Sequence, residues 1–591
     1  MPCAMAAPAK NLTECLEPLP PSGEKPAWAE KTQERVWATI VFVCTAAATA
    51  GMMPPSRYPE LAYVFAVPAV YWAYRAPRWG LYLWTLFAAQ AVAWTLTLSW
   101  LHHVTWAGLL LLGPVVGAWT GCWFVAVGWV MPRLERLPWT RRVVAVLGLA
   151  GAWVVVEWTR TWFLSGFPWL PLAATQWERL TVLQPAAYAG AWSVSFILIS
   201  VNVAFAAYLR KLLHGVSGGE AGTSALARTR CPEFMLAMAL LLLCLFLTVR
   251  DTFNRGAFHR FWAQVGIVQP AIPQTIKWDE TAADDILRTL EEETLKVAAS
   301  QPDLLLWPEA TTPLAVRGNA GMERWMEALT RQAKAPLLFG SIGYENLDTP
   351  EERWSNGVFV ATPEGGVEKA FYAKRHLVPF GEYVPLRPVL GWLEKVVPVG
   401  GDFSPGQAAG LLRVPVREAG ALLGALICYE DIFPALARES VAAGAEVLVV
   451  NTNNGWFGEG AAAYQHAAHS VLRAVETRRP VLRAGNAGWS GWIDECGAIR
   501  AVLTRDLESG EVRTEPAIKG GTGEGSAQGT VYFRGGATLG VTRDARFLST
   551  RSLYVRWGDW FVAVSAGLAT GAWWLLRACP RRSLGAGHTA G

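Results

Sequence analysis

Charged residues are scarce in this chain. Only 17% of its 591 residues are Asp, Glu, Lys or Arg, whereas 52% are hydrophobic. Soluble proteins of ordinary composition carry more charge than this, so the composition predicts membrane-spanning segments. The net charge of +4 is small and gives no support to a nucleic-acid partner.

Cysteine pairs of the kind that bind zinc are absent from the sequence. None of the nine cysteines forms a C-x-x-C spacing, and only Cys428 and Cys496 lie in the polar region between about residues 251 and 558. We therefore expect neither a zinc site nor a disulfide framework. For the histidine pair His466 and His469, at helical spacing, we expect a surface or packing role instead of metal ligation.

Long apolar stretches recur along the chain and give eight candidate membrane spans. They lie at about 36–53, 61–74, 79–101, 105–131, 143–157, 184–209, 233–249 and 559–576. Residues 1–35 are polar and are predicted to be a disordered tail. A signal peptide is the alternative for the first stretch, but the long polar segment before it favours a membrane span.

Basic residues are distributed unevenly around these stretches. If the N-terminus is cytoplasmic, the cytoplasmic segments carry 16 Lys and Arg residues near the span ends, and the short outer loops carry three. By the positive-inside rule, residues 251–558 then lie on the outer face. The predicted order is a cytoplasmic tail (1–35), a seven-span domain (36–250), an outer domain (251–558), an eighth span (559–576) and a cytoplasmic tail (577–591).

The region 251–558 differs in pattern from the rest of the chain. Short apolar runs alternate with amphipathic segments, which predicts an α/β domain whose strands are buried on both faces. Strands are predicted at 264–269, 304–307, 337–341, 354–361, 366–372, 421–427 and 446–450. Helices are predicted at 281–298, 320–334, 431–442 and 462–478.

Three of these strands run directly into polar residues. Glu309 follows one strand, Cys428 follows a second, and Asn451–Asn454 follow a third. Ligands of open α/β sheets bind at the carboxyl ends of strands, so these ends are candidates for a shared site. A fourth segment, 374–382, adds Lys374 in a loop that Pro and Gly stiffen.

Cys428 is the candidate nucleophile of this site. A thiol is only a few per cent thiolate at neutral pH and needs a base or a cation nearby. Glu309 is the candidate base and Lys374 the candidate cation. Taken singly, each has a simpler interpretation: a buried small apolar side chain, a strand-end acid and a solvated loop charge.

The same residues lie in longer motifs that resemble a known family. Glu309, Lys374 and Cys428 match the Glu-Lys-Cys pattern of the nitrilase superfamily in WPEA (307–310), YAKRHLVPFGEYVP (372–385) and ICYED (427–431). Further segments resemble one membrane branch of it, the apolipoprotein N-acyltransferases: GFPWLPLA (166–173), VQPAIPQTIKWDE (268–280) and NTNNGWFG (451–458). The resemblance covers about residues 36–577.

The resemblance implies a fold, a location and a reaction. The fold is a membrane bundle of about eight helices with an extramembrane α-β-β-α sandwich, in the bacterial inner membrane with the catalytic domain in the periplasm. An acyl chain passes from a phospholipid, through a thioester on Cys428, to the α-amino group of a lipoprotein's N-terminal diacylglyceryl-cysteine. Glu309 acts as the base and Lys374 stabilises the oxyanion. No metal or other cofactor is implied.

The resemblance also implies supporting residues around these three. They are Glu382, Tyr429, Glu430 and Asn356, together with Trp278, which matches an aromatic residue on a loop over the acyl-chain entrance. Interfacial anchoring is the alternative for Trp278. The segment Val389–Pro398 is a candidate lid, with an ordinary packed helix as its alternative.

Two other functions share the three central residues. A membrane-tethered amidase or nitrilase would use water as the second nucleophile, and a scaffold protein would carry an inactive site. The amidase or nitrilase explains neither the extent of the apolar sequence nor the flanking motifs, and the intact Glu309, Lys374 and Cys428 argue against the scaffold.

Overall fold

A computed structural model describes residues 27–134, 137–217, 231–253, 255–346, 349–385, 387–390, 403–515 and 529–579. Most of the N-terminal tail, most of the candidate lid Val389–Pro398 and nearly all of the C-terminal tail lie outside these residues.

The N-terminal part of the chain consists of apolar helices. They are α1 (Ala27–Gly51), α2 (Val67–Tyr74), α3 (Trp79–Thr97), α4 (Trp106–Val130), α5 (Trp139–Thr159), α6 (Ala191–Ser217) and α7 (Pro232–Thr252). Among the described residues, four helical segments are long and apolar enough to cross a membrane: 106–133, 139–159, 191–213 and 232–252. Each predicted stretch contains a helix, but α2 has 8 residues and is about 12 Å long, too short to span a bilayer.

Two helix boundaries differ from the expectation. Helix α1 begins at Ala27, inside the segment predicted to be disordered. The first residues of this helix include Ala, Glu, Lys, Gln and Arg, which have high helix propensities although most of them are polar. Helix α6 begins at Ala191, later than the apolar pattern predicts. Gly190, with φ of +70°, ends a preceding short helix and redirects the chain.

The described residues from 259 onwards form two β-sheets. The first has the order β15-β1-β2-β3-β4-β5, with β6 also paired to β4, and the second has the order β13-β12-β11-β10-β9-β8-β7, with β14 also paired to β12. The strands are β1 (His259–Gln269), β2 (Leu304–Leu306), β3 (Leu337–Glu345), β4 (Arg353–Thr362), β5 (Gly366–Val367), β6 (Tyr372–Ala373), β7 (Leu411–Val414), β8 (Ala421–Ile427), β9 (Val447–Thr452), β10 (Val481–Gly485), β11 (Gly491–Ile493), β12 (Ile499–Asp506), β13 (Val512–Glu515), β14 (Gly529–Thr530) and β15 (Gly535–Asp544). The central pairs β1–β2, β2–β3, β8–β9 and β9–β10 are parallel.

The two sheets pack face to face between two layers of helices. Side chains alternate along each strand, so Leu304 and Leu306 enter the core between the sheets, whereas Leu305 faces the outer helices. The outer helices are α8 (Ala283–Ala298) and α9 (Ala320–Ala333) on the first sheet, and α10 (Pro434–Ala442) and α11 (Ala461–Thr477) on the second. The expected α-β-β-α sandwich is thereby confirmed.

Helix α11 joins the sandwich to the membrane helices. It is buried along nearly its whole length, because it packs on the second sheet and also on the loop that precedes α6. Gln465 on α11 accepts hydrogen bonds from the indole N–H groups of Trp100 and Trp169, both at 2.9 Å. After the sandwich the chain returns to the bundle as α12 (Trp560–Leu576), beside α5.

Candidate active site

The turn after β2 positions Glu309. It is fixed against β3 by hydrogen bonds from Gly340 N to Pro308 O (3.0 Å) and from Thr311 N to Gly340 O (2.8 Å). Glu309 is buried, and the residue after it, Ala310, has φ of +42°. A non-glycine residue in this region is strained, and such strain persists only where the surroundings fix the backbone.

Cys428 occupies a sharp turn at the end of β8. It has φ of +49° and opens a short 3₁₀ helix, Cys428–Ile432. The sulfur interacts with the side chain of Thr452 and the backbone N–H of Asn453, at the end of β9. The Cys428 carbonyl lies 3.1 Å from Nε2 of His466. The candidate nucleophile is therefore held at the carboxyl end of the second sheet.

Lys374 lies between two carboxylates. Its Nζ donates to Oε1 of Glu382 at 2.9 Å and to Oε1 of Glu309 at 3.3 Å. The Asn356 amide donates to the same two oxygens, at 3.0 and 2.9 Å. The strand ends that the sequence marked as polar thus meet around Cys428, Glu309 and Lys374.

Charge and burial set the protonation states of the three central groups. Burial disfavours ionisation of Glu309, but the Lys374 charge and the Asn356 hydrogen bond outweigh it and lower the pKa of the carboxyl. Burial opposes the charge of Lys374 too, but Glu382 and Glu309 raise the pKa of this amine above its ordinary value. Burial, with the Glu309 charge, raises the pKa of the Cys428 thiol to about 12. A protonated thiol therefore faces an ionised carboxylate at neutral pH.

Glu430 supports the site through the backbone. Its carboxylate accepts hydrogen bonds from the N–H groups of Ile427, Arg375 and His376 and from the Tyr372 hydroxyl. These donors flank Cys428 on one side and Lys374 on the other. Burial raises the pKa of Glu430 in spite of these bonds. The carboxylate thus links the backbone next to Cys428 with the backbone next to Lys374.

Tyr429 and Trp278 lie at the periphery of the site. The Tyr429 hydroxyl donates to the carbonyl of Gly166, in the loop between α5 and α6, at 2.9 Å. Trp278 is 48% exposed. This exposure agrees with both interpretations of Trp278, an aromatic residue on a loop over the acyl-chain entrance and an interfacial anchor.

A buried ionic cluster below Cys428 was not predicted from the sequence. Asp431 bonds to the side chains of His466 (2.8 Å), Arg483 (2.6 Å) and Ser470 (2.6 Å). Burial opposes its ionisation, but the His466 and Arg483 charges hold the pKa of Asp431 well below its usual range. The only sequence signal was a charged residue beside Cys428 and a histidine pair at helical spacing.

Both histidines of that pair are buried in the packing, so the packing interpretation holds and the surface alternative does not. No group of three or more His, Cys, Asp and Glu side chains arranged to hold a metal ion occurs in the described part of the chain. A second buried lysine beside the site, Lys277, was also missed.

Comparison with known proteins identifies the class of the α/β domain first. The family model described as carbon-nitrogen hydrolase matches residues 264–520, which include Glu309, Lys374 and Cys428. The two-sheet sandwich and this match define the region as a carbon-nitrogen hydrolase domain. A solved structure of an amidase from Nesterenkonia sp. is 20% identical, covers 43% of this chain and 91% of its own, and has a TM-score of 0.31. A likeness at that TM-score carries no weight.

The membrane part narrows the assignment. The model described as apolipoprotein N-acyltransferase N-terminal domain matches residues 45–204. An apolipoprotein N-acyltransferase of Geobacter metallireducens is 34% identical over 66% of this chain and 75% of its own length. One from Gloeobacter violaceus is 28% identical over 87% of this chain and 89% of its own. The chain belongs to the apolipoprotein N-acyltransferase family.

Proposed function

We propose that this protein transfers an acyl chain from a membrane phospholipid to the α-amino group of the N-terminal diacylglyceryl-cysteine of lipoproteins. The observation that carries the proposal is the position of Cys428 next to the loop between α5 and α6. The neighbouring Tyr429 is bonded to the loop between α5 and α6, and Ser165 of that loop lies 3.1 Å from the Tyr383 hydroxyl. The same loop exposes Trp162, Phe163 and Leu164, an apolar surface suited to lipid tails beside the nucleophile.

The first half-reaction forms a thioester. Glu309 takes the proton of the Cys428 thiol, and the sulfur attacks an ester carbonyl of the phospholipid. Lys374 and a backbone N–H near Cys428 stabilise the oxyanion. When the intermediate collapses, the C–O bond breaks and Glu309 returns the proton to the leaving alcohol of the lysophospholipid.

The second half-reaction releases the acyl chain to the lipoprotein. The α-amino group attacks the thioester carbonyl, and Glu309 accepts a proton from the nitrogen. The C–S bond then breaks, the amide forms, and Glu309 returns the proton to the Cys428 sulfur. Because the first product leaves before the acceptor reacts, the kinetics are ping-pong.

The test follows a labelled acyl chain. Purified protein incubated with labelled phospholipid alone is expected to form a hydroxylamine-sensitive acyl-enzyme, which a diacylglyceryl-cysteine peptide then discharges as acylated peptide. Cys428→Ala is expected to form none, whereas Cys496→Ala, a control at a buried cysteine of the same domain, keeps it. An acyl-enzyme on Cys428→Ala contradicts the proposal, and fatty acid released to water without acylated peptide indicates a hydrolase.

We also infer that residues 251–558 lie on the periplasmic side of the inner membrane, between about 36–250 and the helix 559–576. The asymmetry of basic residues around the apolar stretches supports this. Cysteine placed at the exposed Ser509 in a turn of the domain (Ser509→Cys) is expected to react with a membrane-impermeant maleimide in intact spheroplasts, with the unmodified chain as background. Labelling only after permeabilisation would indicate the opposite orientation, with this domain in the cytoplasm.

A further inference from the structure

Lys277 is a buried lysine beside the candidate active site, in a stretch of loop whose adjacent residues are exposed. The loop runs from 270 to 279, after β1, and Asn486 holds its beginning: its carbonyl accepts from Ala271 N at 2.8 Å and its side chain from Ile272 N at 3.0 Å. Lys277 is 1% exposed, whereas its neighbours Ile276 and Trp278 are 39% and 48% exposed. Lysine side chains are rarely buried, because burial of the charged amine is costly unless another group compensates for it.

The amine of Lys277 lies beside the two groups that exchange a proton. Its Nζ donates to the backbone carbonyl of Glu309 at 3.3 Å. The Glu309 carboxylate and the Cys428 sulfur are the ionisable groups that act on it electrostatically. Within the part of the chain that the structure describes, no carboxylate forms an ion pair with Lys277, and its amine lies 5.6 Å from the centroid of the Trp278 ring.

The charges of the site show what such a cation supplies. Lys374 is shared by the carboxylates of Glu309 and Glu382, so one positive charge faces two negative ones. When the Cys428 proton moves to Glu309, the negative charge moves to the sulfur and then to the substrate oxygen. The net charge of the site does not change during these steps. Without a second cation the buried site keeps a net negative charge throughout, which opposes each anionic state.

We propose that Lys277 is a positioning residue of this reaction, whose charge offsets the second carboxylate and favours the negative charge as it moves from Glu309 to Cys428 and the substrate. The inference rests on the proposed catalysis through Cys428. Because Trp278 is the next residue and its ring lies 5.6 Å from the Lys277 amine, the loop that bears the exposed indole also positions this charge.

The pKa of the Lys277 amine agrees with this role. Burial lowers the pKa of its amine to about 8, against the opposing attraction of Glu309 and Cys428. At pH 7 the amine is therefore charged, and as the pH rises through 8 the charge is lost. Acyl transfer is expected to decline on that alkaline side.

The decisive experiment compares Lys277→Arg with Lys277→Gln. Both side chains can donate to the Glu309 carbonyl, but only Arg is charged. For Gln we expect kcat to fall by tenfold or more with little change in KM for phospholipid, and a slower reaction of Cys428 with iodoacetamide. Arg is expected to keep most of the activity and to lose the alkaline limb near pH 8. Lys296→Met, at an exposed lysine paired with Glu293, is the control.

The outcomes separate this inference from the proposed function. Equal kcat and equal iodoacetamide rates for Arg and Gln overturn the role of the Lys277 charge while leaving catalysis by Cys428 intact. Acyl transfer that survives Cys428→Ala overturns the proposed function itself. Should Lys277→Gln fail to fold, an alkaline limb that is identical in the unmodified chain and in Lys277→Arg still overturns the inference.

Discussion

At the scale of single residues, Asn356 holds the two active-site glutamates together. Its side chain donates to Oε1 of both Glu309 and Glu382, which otherwise repel each other. A hydrogen bond to the charged form of an acid favours that form, so Asn356 helps to keep the pKa of Glu309 low despite burial. In the proposed mechanism, ionisation of the base Glu309 thus depends in part on an uncharged neighbour.

Replacing Asn356 by Leu is expected to shift the acid limb of the pH–rate profile. Without the amide hydrogen bond the pKa of Glu309 rises, so the base becomes protonated at a higher pH and the limb moves upward by about one unit. The maximal rate is expected to fall about tenfold. Acyl-enzyme formation measured between pH 4 and 9 checks this. Asn346→Gly, at an exposed asparagine with φ of +55°, is expected to leave the profile unchanged.

The sequence identified residues by type and by position after a strand, which was enough for Glu309, Lys374 and Cys428 as candidates. It did not identify Lys277, because nothing in an exposed loop sequence tells which side chain turns inward. It also gave His466 only a generic surface or packing role, since the partners Asp431 and Arg483 come from other elements. Their proximity depends on strand order, which a local pattern does not encode.

At the scale of elements, close contact between β3 and the turn after β2 places Glu309. A Cβ at Gly340 would lie 2.4 Å from the Pro308 carbonyl oxygen and 2.7 Å from Cα of Glu309. Neither atom is the end of a flexible side chain, so the turn itself must move. The absence of a Cβ at Gly340 thereby allows the turn that carries Glu309, the proposed base, to lie against β3.

Gly340→Ala is therefore expected to impair catalysis more than folding. A displaced Glu309 no longer meets Cys428 and Lys374, and the rate of acyl-enzyme formation is expected to fall about 100-fold. Gly256→Ala is the control, since a Cβ there meets nothing within 4 Å. Unaltered kinetics in Gly340→Ala would show that the turn tolerates the displacement.

Helices α5 and α12 approach each other through small residues. A Cβ at Gly148 would lie 2.3 Å from Cβ of Ala572, and one at Gly151 would lie 2.4 Å from the carbonyl oxygen of Ser565. Close backbone approach of this kind is a main source of helix association in a bilayer. The contact connects the last helix, and with it the end of the α/β domain, to the bundle.

Gly151→Leu is expected to separate these helices. Overpacking of about 1–3 kcal/mol should lower the unfolding temperature in detergent, and protease should cleave more readily near α12. Gly571→Leu on α12, where a Cβ meets nothing within 4 Å, is expected to keep the unfolding temperature of the unmodified chain. Equal unfolding temperatures for both variants would contradict this account of the contact.

The elements predicted from the sequence were those with long apolar or amphipathic runs. Strand β8 has the predicted bounds of 421–427, and α9 and α11 differ from prediction by one residue at their ends. Strands β7 and β10 to β15 were not predicted. Several are short, β11 having three residues and β14 two, and their pairing along the second sheet gives them their extended form.

At the scale of the whole molecule, polar contacts between α11 and the membrane part join the two domains. Besides accepting from Trp100 and Trp169, Gln465 donates to the carbonyl of Thr97 at 3.0 Å. Next to it, His469 Nε2 accepts from Leu170 N at 3.1 Å. The domain that carries Cys428 is therefore seated on the membrane part by buried hydrogen bonds as well as by apolar packing.

Gln465→Leu is expected to weaken this junction. The substitution leaves two indole N–H groups and a carbonyl buried without hydrogen-bond partners. Each unpaired group is expected to lower the free energy of unfolding by about 1–3 kcal/mol. The temperature at which acyl transfer is irreversibly lost is expected to fall by roughly 5 °C or more. Gln332→Leu, at an exposed glutamine on α9, is the control and is expected to change this temperature little.

The sequence by itself determined the membrane character, the α/β character of 251–558 and the candidate trio of Glu, Lys and Cys, because hydropathy, periodicity and strand-end polarity are local properties of the chain. Only the tertiary structure decided that the Lys374 amine is shared by two carboxylates, that Lys277 turns inward and that α11 lies against the membrane helices. Each of these depends on residues far apart in sequence, and their distances follow from how sheets and helices pack.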